Sequence, residues 1–220
     1  FFASMSIMGL TTFLPMYVQT VLNGSPLVAG FGLTMLLLGW PCGATIASRQ
    51  FTRFGFRPIM IAGSICIPAG TCLLVLLTPS SSAGLAGAGS LVMGFGMGLL
   101  NIGALILTQE SVSWSERGSA TASNVFSRNL GSTLGAAVLG AVLTYGLAHT
   151  TNGQAITPEQ LRSLLNGTGA VIGNAEEVRL ALQNALHATF IAMLLIAALI
   201  VPICLFVPRP EVQSETPREA

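Results

Sequence analysis

Charged side chains are absent from four stretches of this 220-residue chain: Phe1 to Ser48, Pro58 to Gln109, Asn129 to Pro158 and Leu180 to Pro208. A helix that crosses the hydrocarbon core of a bilayer needs roughly 20 predominantly apolar residues. The first two stretches are long enough for two crossings each, and the last two for one each. The pattern therefore predicts spans near residues 1–22, 27–47, 58–77, 85–108, 120–147 and 186–207. The expected fold class is an all-α membrane protein with six transmembrane helices in two sets of three. These occupy residues 1–208, and a polar tail, 209–220, follows.

The breaks between spans carry turn chemistry. Asn23-Gly24-Ser25-Pro26 and Thr78-Pro79-Ser80-Ser81-Ser82 read as tight turns. Ser48 to Pro58 reads as a short basic loop, and Glu110 to Gly118 as a short mixed one. The one long connection, 148–183, has signals of its own. Thr157-Pro158-Glu159-Gln160, flanked by Ile156 and Leu161, predicts a capped short helix ending at Gly167. Asn174-Ala175-Glu176-Glu177 starts a second one. There Val178, Leu182 and Leu186 share a face while Arg179, Gln183 and His187 do not, predicting an interfacial helix that feeds into the last span.

Composition narrows the class. Charged residues make up 8% of the chain, against about 25% in soluble domains. Hydrophobic residues make up 52% and mean hydropathy is +0.74, more apolar surface than a globule of this size can hide from water. A net charge of +1 with no Lys gives no basic face for phosphates, which argues against nucleic acid as a partner. Cys42, Cys66, Cys72 and Cys204 are scattered through apolar segments and read as small core residues rather than a disulfide or metal set. The sequence offers no catalytic residue, metal site or cofactor. It opens at Phe1 inside an apolar run, so a fragment or an isolated half is expected.

Arginine placement sets an orientation. Arg49, Arg53, Arg57, Arg117, Arg209 and Arg218 flank one side of the predicted bundle, and Arg162 and Arg179 the other. The richer side is expected in the cytoplasm, with both chain ends. Membrane lipids are the first partner this implies.

Few residues inside the spans carry chemistry. Arg128 is the one charge placed within a span, roughly 12 Å along it if the helix starts near Ala120. An ionisable group there is a functional candidate, although a long side chain can also snorkel to the interface. Asn124 and Ser132 lie one turn either side of it. Arg49, Arg53 and Arg57 around Gly55 can bind helix C-termini or anionic headgroups, or serve only as topology anchors. Gly94 with Gly98, and Gly131 with Gly135, joined by Ala136 and Gly140, allow close helix packing, static or sliding. Gly94-Phe95-Gly96-Met97-Gly98 has neither the strand nor the Lys that a phosphate loop needs. Pro15, Pro41, Pro68 and Pro202 are expected to kink their helices. Every Glu lies in a loop or the tail and Asp is absent, so no buried carboxylate is available to carry a proton.

The segment Leu14-Pro15-Met16-Tyr17-Val18-Gln19 with Val21-Leu22 and Ser25-Pro26, then Ala29-Gly30, resembles the first span of the C-terminal half in drug:proton antiporters of the major facilitator superfamily. Arg53-Phe54-Gly55-Phe56-Arg57-Pro58 is similar to that superfamily's cytoplasmic loop motif, with Thr52 where an Asp is usual and Ser48 where a Gly is usual. Glu116-Arg117-Gly118 and Ala120-Thr121-Ala122, followed by Arg128 and Gly131, resemble the entry to the penultimate span, and the long outer loop resembles the fourteen-span branch. The resemblance implies half of a two-half bundle in the cell membrane that works with a missing N-terminal half. It implies export of a small lipophilic substrate by proton antiport through alternating access. It also implies that Tyr17, Trp40 and Asn101 fall on cavity-lining spans, for which interfacial anchoring or helix–helix hydrogen bonding is the plainer reading. The absent Asp weakens the gate latch expected of that loop. A channel or the membrane domain of another transporter class, and less readily an intramembrane enzyme, are the alternatives.

Overall fold

The computed structural model describes residues 1–79, 81–150 and 175–207; the side chains of Thr52, Thr150 and residues 175–178 lie outside the description. The described chain is helical throughout: α1 (Phe2–Thr20), α2 (Pro26–Phe54), α3 (Phe56–Val75), α4 (Ala83–Glu110), a 3₁₀ turn (Trp114–Glu116), α5 (Arg117–Thr150), α6 (Ala175–Ala198) and α7 (Ile200–Leu205). The capping signals at Thr157 and Asn174, the short helix ending at Gly167, the tail and the Thr52 side chain fall outside the described residues.

Among the described residues, five stretches are long and apolar enough to cross a membrane: Pro26–Phe51, Phe56–Val75, Ala83–Glu110, Trp114–His149 and Arg179–Leu205. The sixth expected span, α1, does not reach that apolarity. Ser4, Ser6, Thr11, Thr12, Tyr17 and Gln19 dilute it. Its position explains the tolerance: α1 packs against α2, α4, α5 and α6, so much of its surface meets protein rather than lipid.

The basic loop expected over Ser48 to Pro58 is mostly helix. α2 runs through Arg49 and Arg53 to Phe54, and Gly55 alone separates it from α3. Charge ends the apolar span, but Arg and Gln are good helix formers and do not end the helix. Gly55 does, with φ +77° and ψ 176°, a conformation essentially confined to glycine. At the other end of α2, Ser25 Oγ accepts from the Val28 amide at 3.3 Å and Pro26 occupies the first turn. α6 is one continuous helix from Ala175 past Leu186, so the expected interfacial piece and the last span are a single element. It breaks at Leu199 before α7, where Pro202 has no N–H for the Ala198 carbonyl. α1, α2 and α3 run on through Pro15, Pro41 and Pro68.

The two sets of three interlock. α4, the first helix of the second set, packs most extensively on α2 and α3; α1, the first of the first set, packs on α5 and α6; α3 also meets α6. Glycines set the closeness. On α4, Gly87, Gly94 and Gly98 face α2, while Gly89, Gly96 and Gly103 face α3. A two-residue offset turns a helix about 200°, so the two tracks lie on opposite sides of α4. A Cβ on Gly98 would sit 2.6 Å from the Ala44 amide nitrogen, and one on Gly96 2.9 Å from the Gly63 carbonyl oxygen. The partner helices contribute Gly39 and Gly43 on α2 and Gly63 and Gly70 on α3. The alternating glycines of residues 94–98 are thus a helix with two close neighbours. On α5, Gly131 lies against the Phe1 backbone and a Cβ on Gly135 would be 2.7 Å from the Met5 Cα, whereas Gly140 faces open space.

Hydroxyls inside the bundle bond their own helices. Ser6, Thr20, Thr71, Ser90 and Thr189, all buried, donate to the carbonyl four residues earlier at 2.7–3.1 Å. That removes the cost of burying them where no water is available. Large apolar side chains also face outward, among them Leu27, Leu37, Phe126 and Leu195. In water such faces would drive association; in a bilayer they meet acyl chains or another protein surface.

Candidate functional site

α1 offers one open strip. Met8, Thr12, Pro15 and Gln19 recur at intervals of four, three and four residues, each half-buried or exposed, on the side opposite Leu10 and Tyr17. Half of the strip, Thr12 and Gln19, is polar, and Thr11 flanks it. Tyr17, expected to line a cavity, points the other way. It is 1% exposed, its hydroxyl donates to the Leu77 carbonyl at 3.1 Å beyond the end of α3, and its ring lies 5.5 Å from that of Phe190 on α6. The polar and aromatic content of α1 is visible in the sequence; which of its faces is covered depends on four neighbouring helices and is not.

A second polar region lies where α4 ends and α5 begins. The face of α4 between its glycine tracks is buried at Ala86, Ser90, Met93 and Met97, then opens at Asn101, Ala104 and Thr108. On α5 the matching stripe is half-buried at Thr121, Asn124 and Arg128 and fully buried from Gly131 through Gly135 to Leu139. The Gln109 amide donates to the Thr121 hydroxyl at 3.2 Å and links the two helices. Arg128 and Asn124 thus lie on the packing side of α5, one and two turns before the contact of Gly131 with Phe1. The Arg128 backbone carbonyl accepts from Ser132 Oγ at 3.2 Å, while its guanidinium has no hydrogen bond or ion pair among the described residues. Trp40 is half-buried against the main core and its carbonyl lies over Gly98, so its position is one of packing.

The residues around Gly55 diverge in role. Arg57 donates from Nη2 to the Leu205 carbonyl at 2.8 Å, closing the end of the last helix. Its Nε is buried without a partner. Arg53 lies 5.4 Å over the ring of its neighbour Phe54, and Arg49 is exposed on the last turns of α2. Across the bundle Arg117 lies 4.8 Å over the Trp114 ring. Arg179, expected on the polar face of an interfacial helix and counted toward topology, donates to the Val21 carbonyl at the end of α1. The acidic side chains described, Glu110 and Glu116, are exposed at the α4–α5 connection.

Helix number, glycine contacts and the two interlocked triplets describe an architecture; sequence comparison says whose. The family model of the Major Facilitator Superfamily matches residues 1–220. The chain belongs to this superfamily. Among relatives, it is 31% identical over 143 residues to the multidrug transporter protein MdtP of Bacillus subtilis, covering 65% of this chain and 26% of that protein. It is 32% identical over 136 residues to multidrug resistance protein 3 of the same organism, covering 61% and 26%. The puromycin resistance protein pur8 of Streptomyces alboniger is 30% identical over 143 residues, covering 63% and 28%. The matched region thus spans about a quarter of the length of these relatives. This member of the superfamily is a multi-pass membrane protein of a transporter family, and the enzyme alternative falls away.

Proposed function

We propose that the chain is the C-terminal half of a secondary exporter that moves lipophilic small molecules by proton antiport and alternating access. The observation that carries this reading is the family match over residues 1–220 joined to relatives about four times longer than the matched region and named as multidrug transporters. Both open polar regions support it. The strip Met8, Thr12, Pro15 and Gln19, and the opening at Asn101, Asn124 and Arg128, are neutral save for one cation, which suits a lipophilic ligand that sheds little water on entry. In this reading the open faces of α1, α4 and α5 look toward an N-terminal half. The carboxylates of the described spans, Glu110 and Glu116, are exposed at the span ends and none is buried, so the proton carrier belongs to that other half. The arginine count puts the α2–α3 and α4–α5 connections in the cytoplasm of a cell whose plasma membrane holds the protein.

The test is efflux of puromycin and of a fluorescent lipophilic cation from cells that carry this half alone, an N-terminal half alone, or both. Efflux is expected only with both, and only while a proton gradient is maintained. Energised efflux from this chain alone would overturn the half-transporter reading. Efflux that survives collapse of the proton gradient would overturn the antiport reading.

A further inference from the structure

The outer end of α1 is held by two other helices. Pro15 supplies no N–H, so the Thr11 carbonyl lacks its helical partner and the segment Met16–Thr20 is joined to the rest of α1 more weakly than an unbroken helix would be. Past it, Val21 and Leu22 donate back to the Tyr17 carbonyl at 2.9 and 3.3 Å, Gly24 donates to Val18 at 2.9 Å, and Asn23 takes φ +50°. These bonds close the helix end but leave the Val21 carbonyl to be satisfied from elsewhere.

That partner is Arg179, in the second turn of α6. Its Nη2 donates to the Val21 carbonyl. With the Asn23 amide turned so that its oxygen faces the guanidinium, that oxygen accepts from both Nη1 and Nη2 at 3.2 Å. A cation at a helix C-terminus also complements the negative end of the helix dipole. Eleven residues further along α6 the Phe190 ring packs on Tyr17, whose hydroxyl is bonded to Leu77. α1 therefore has its outer segment clasped by α6 and α3 while its open strip starts on the far side of Pro15.

We propose that Arg179 is a positioning residue of the transport pathway. By holding Val21 and Asn23 it fixes the rotation of the segment beyond Pro15, and with it the direction in which Gln19 faces. The proposal rests on the pathway reading above. Its chemistry is a charge-assisted clasp that lysine, with one rotating ammonium, reproduces only in part.

The experiment uses the full-length transporter with Gln19→Cys in a background free of Cys42, Cys66, Cys72 and Cys204. The labelling rate with a membrane-impermeant maleimide is compared for Arg179, Arg179→Lys and Arg179→Met, alongside KM and maximal rate of efflux in the cysteine-intact protein. Loss of a hydrogen bond to a charged donor shifts an equilibrium about tenfold or more. Arg179→Met is expected to change labelling at position 19 by about that factor and to raise KM more than it lowers the maximal rate, with Arg179→Lys in between. Unchanged labelling and KM in folded Arg179→Met protein overturn the proposal. If that variant does not accumulate, Asn23→Gly removes the side-chain half of the clasp while tolerating the positive φ, and an unchanged rate there overturns it equally. Labelling does not require transport, so a protein that labels as expected but moves no substrate refutes the pathway reading and not the clasp.

Discussion

The Arg57 guanidinium donates to the Leu205 carbonyl across 2.8 Å, tying the first turn of α3 to the end of the last helix 148 positions later. The contact matters because α7 is a six-residue helix set off from α6 by a break at Leu199. Ile200 and Cys204 anchor one face of it in the core, and Arg57 adds a side-chain bond at its end. Arg57→Ala should cost about 1 kcal/mol, since the bond is charge-assisted but solvent-accessible. A protein of this size would then melt about 2–4 °C lower in detergent, which a thermal scan resolves. An unchanged midpoint would mean that water replaces the arginine without loss.

The glycine contacts predict opposite outcomes for one chemical change. Gly98→Ala puts a methyl 2.6 Å from the Ala44 amide nitrogen and 3.0 Å from the Gly43 carbonyl carbon, backbone atoms that cannot turn aside. It should cost 1–3 kcal/mol or more, roughly the range for overpacking. Gly140→Ala meets nothing within 4 Å and should be neutral or stabilise by up to about 1 kcal/mol through helix propensity. Comparing the melting points of the two variants separates contact from composition.

Gly55 is a matter of backbone alone. A Cβ there would touch nothing within 4 Å, yet φ +77° with ψ 176° is strained for any other residue. Gly55→Ala should lose roughly 1–3 kcal/mol. Gly55→Asn should recover little, because asparagine tolerates the left-handed helical region and not this extended one. Equal stability of all three proteins in a chemical denaturation series would contradict the assigned turn.

Arg128 should separate folding from transport. Its guanidinium holds no described partner, so Arg128→Leu should leave the melting point of this bundle within about 1–2 °C, the range of a substitution away from packed features. Efflux by the full-length protein should fall by about tenfold, the equivalent of one charge-assisted bond to the substrate or to the other half. A melting point that drops with activity intact would reverse the assignment and make Arg128 a structural residue.

Much of the fold is legible in the sequence because the bilayer simplifies the problem. The charge-poor stretches coincide with long helices, and the turn at Asn23-Gly24-Ser25-Pro26 lies between α1 and α2. What is not legible depends on neighbours. α1 looks too polar for lipid because it is largely sheathed by other helices. Gly39, Gly43, Gly63 and Gly70 carry no mark in the sequence that pairs them with α4. Arg179 reads as one more surface charge until the end of α1, 158 positions earlier, is brought against it. Tyr17 and Gln19 are two residues apart and face opposite ways, so a list of polar residues in α1 cannot say which one a ligand would meet.

The opposed glycine tracks of α4 have a consequence for how such a protein can change. Two flanks of the helix are committed to backbone contact, where almost any larger side chain forces neighbouring helices apart. Of the remaining two, one starts exposed at Ala88 and Leu91 and then packs through Phe95 and Leu99, and the other opens at Asn101, Ala104 and Thr108. Change on this helix is therefore sterically cheap at the exposed Ala88 and Leu91 and along Asn101, Ala104 and Thr108, whereas a larger residue on either glycine track needs a compensating change on α2 or α3.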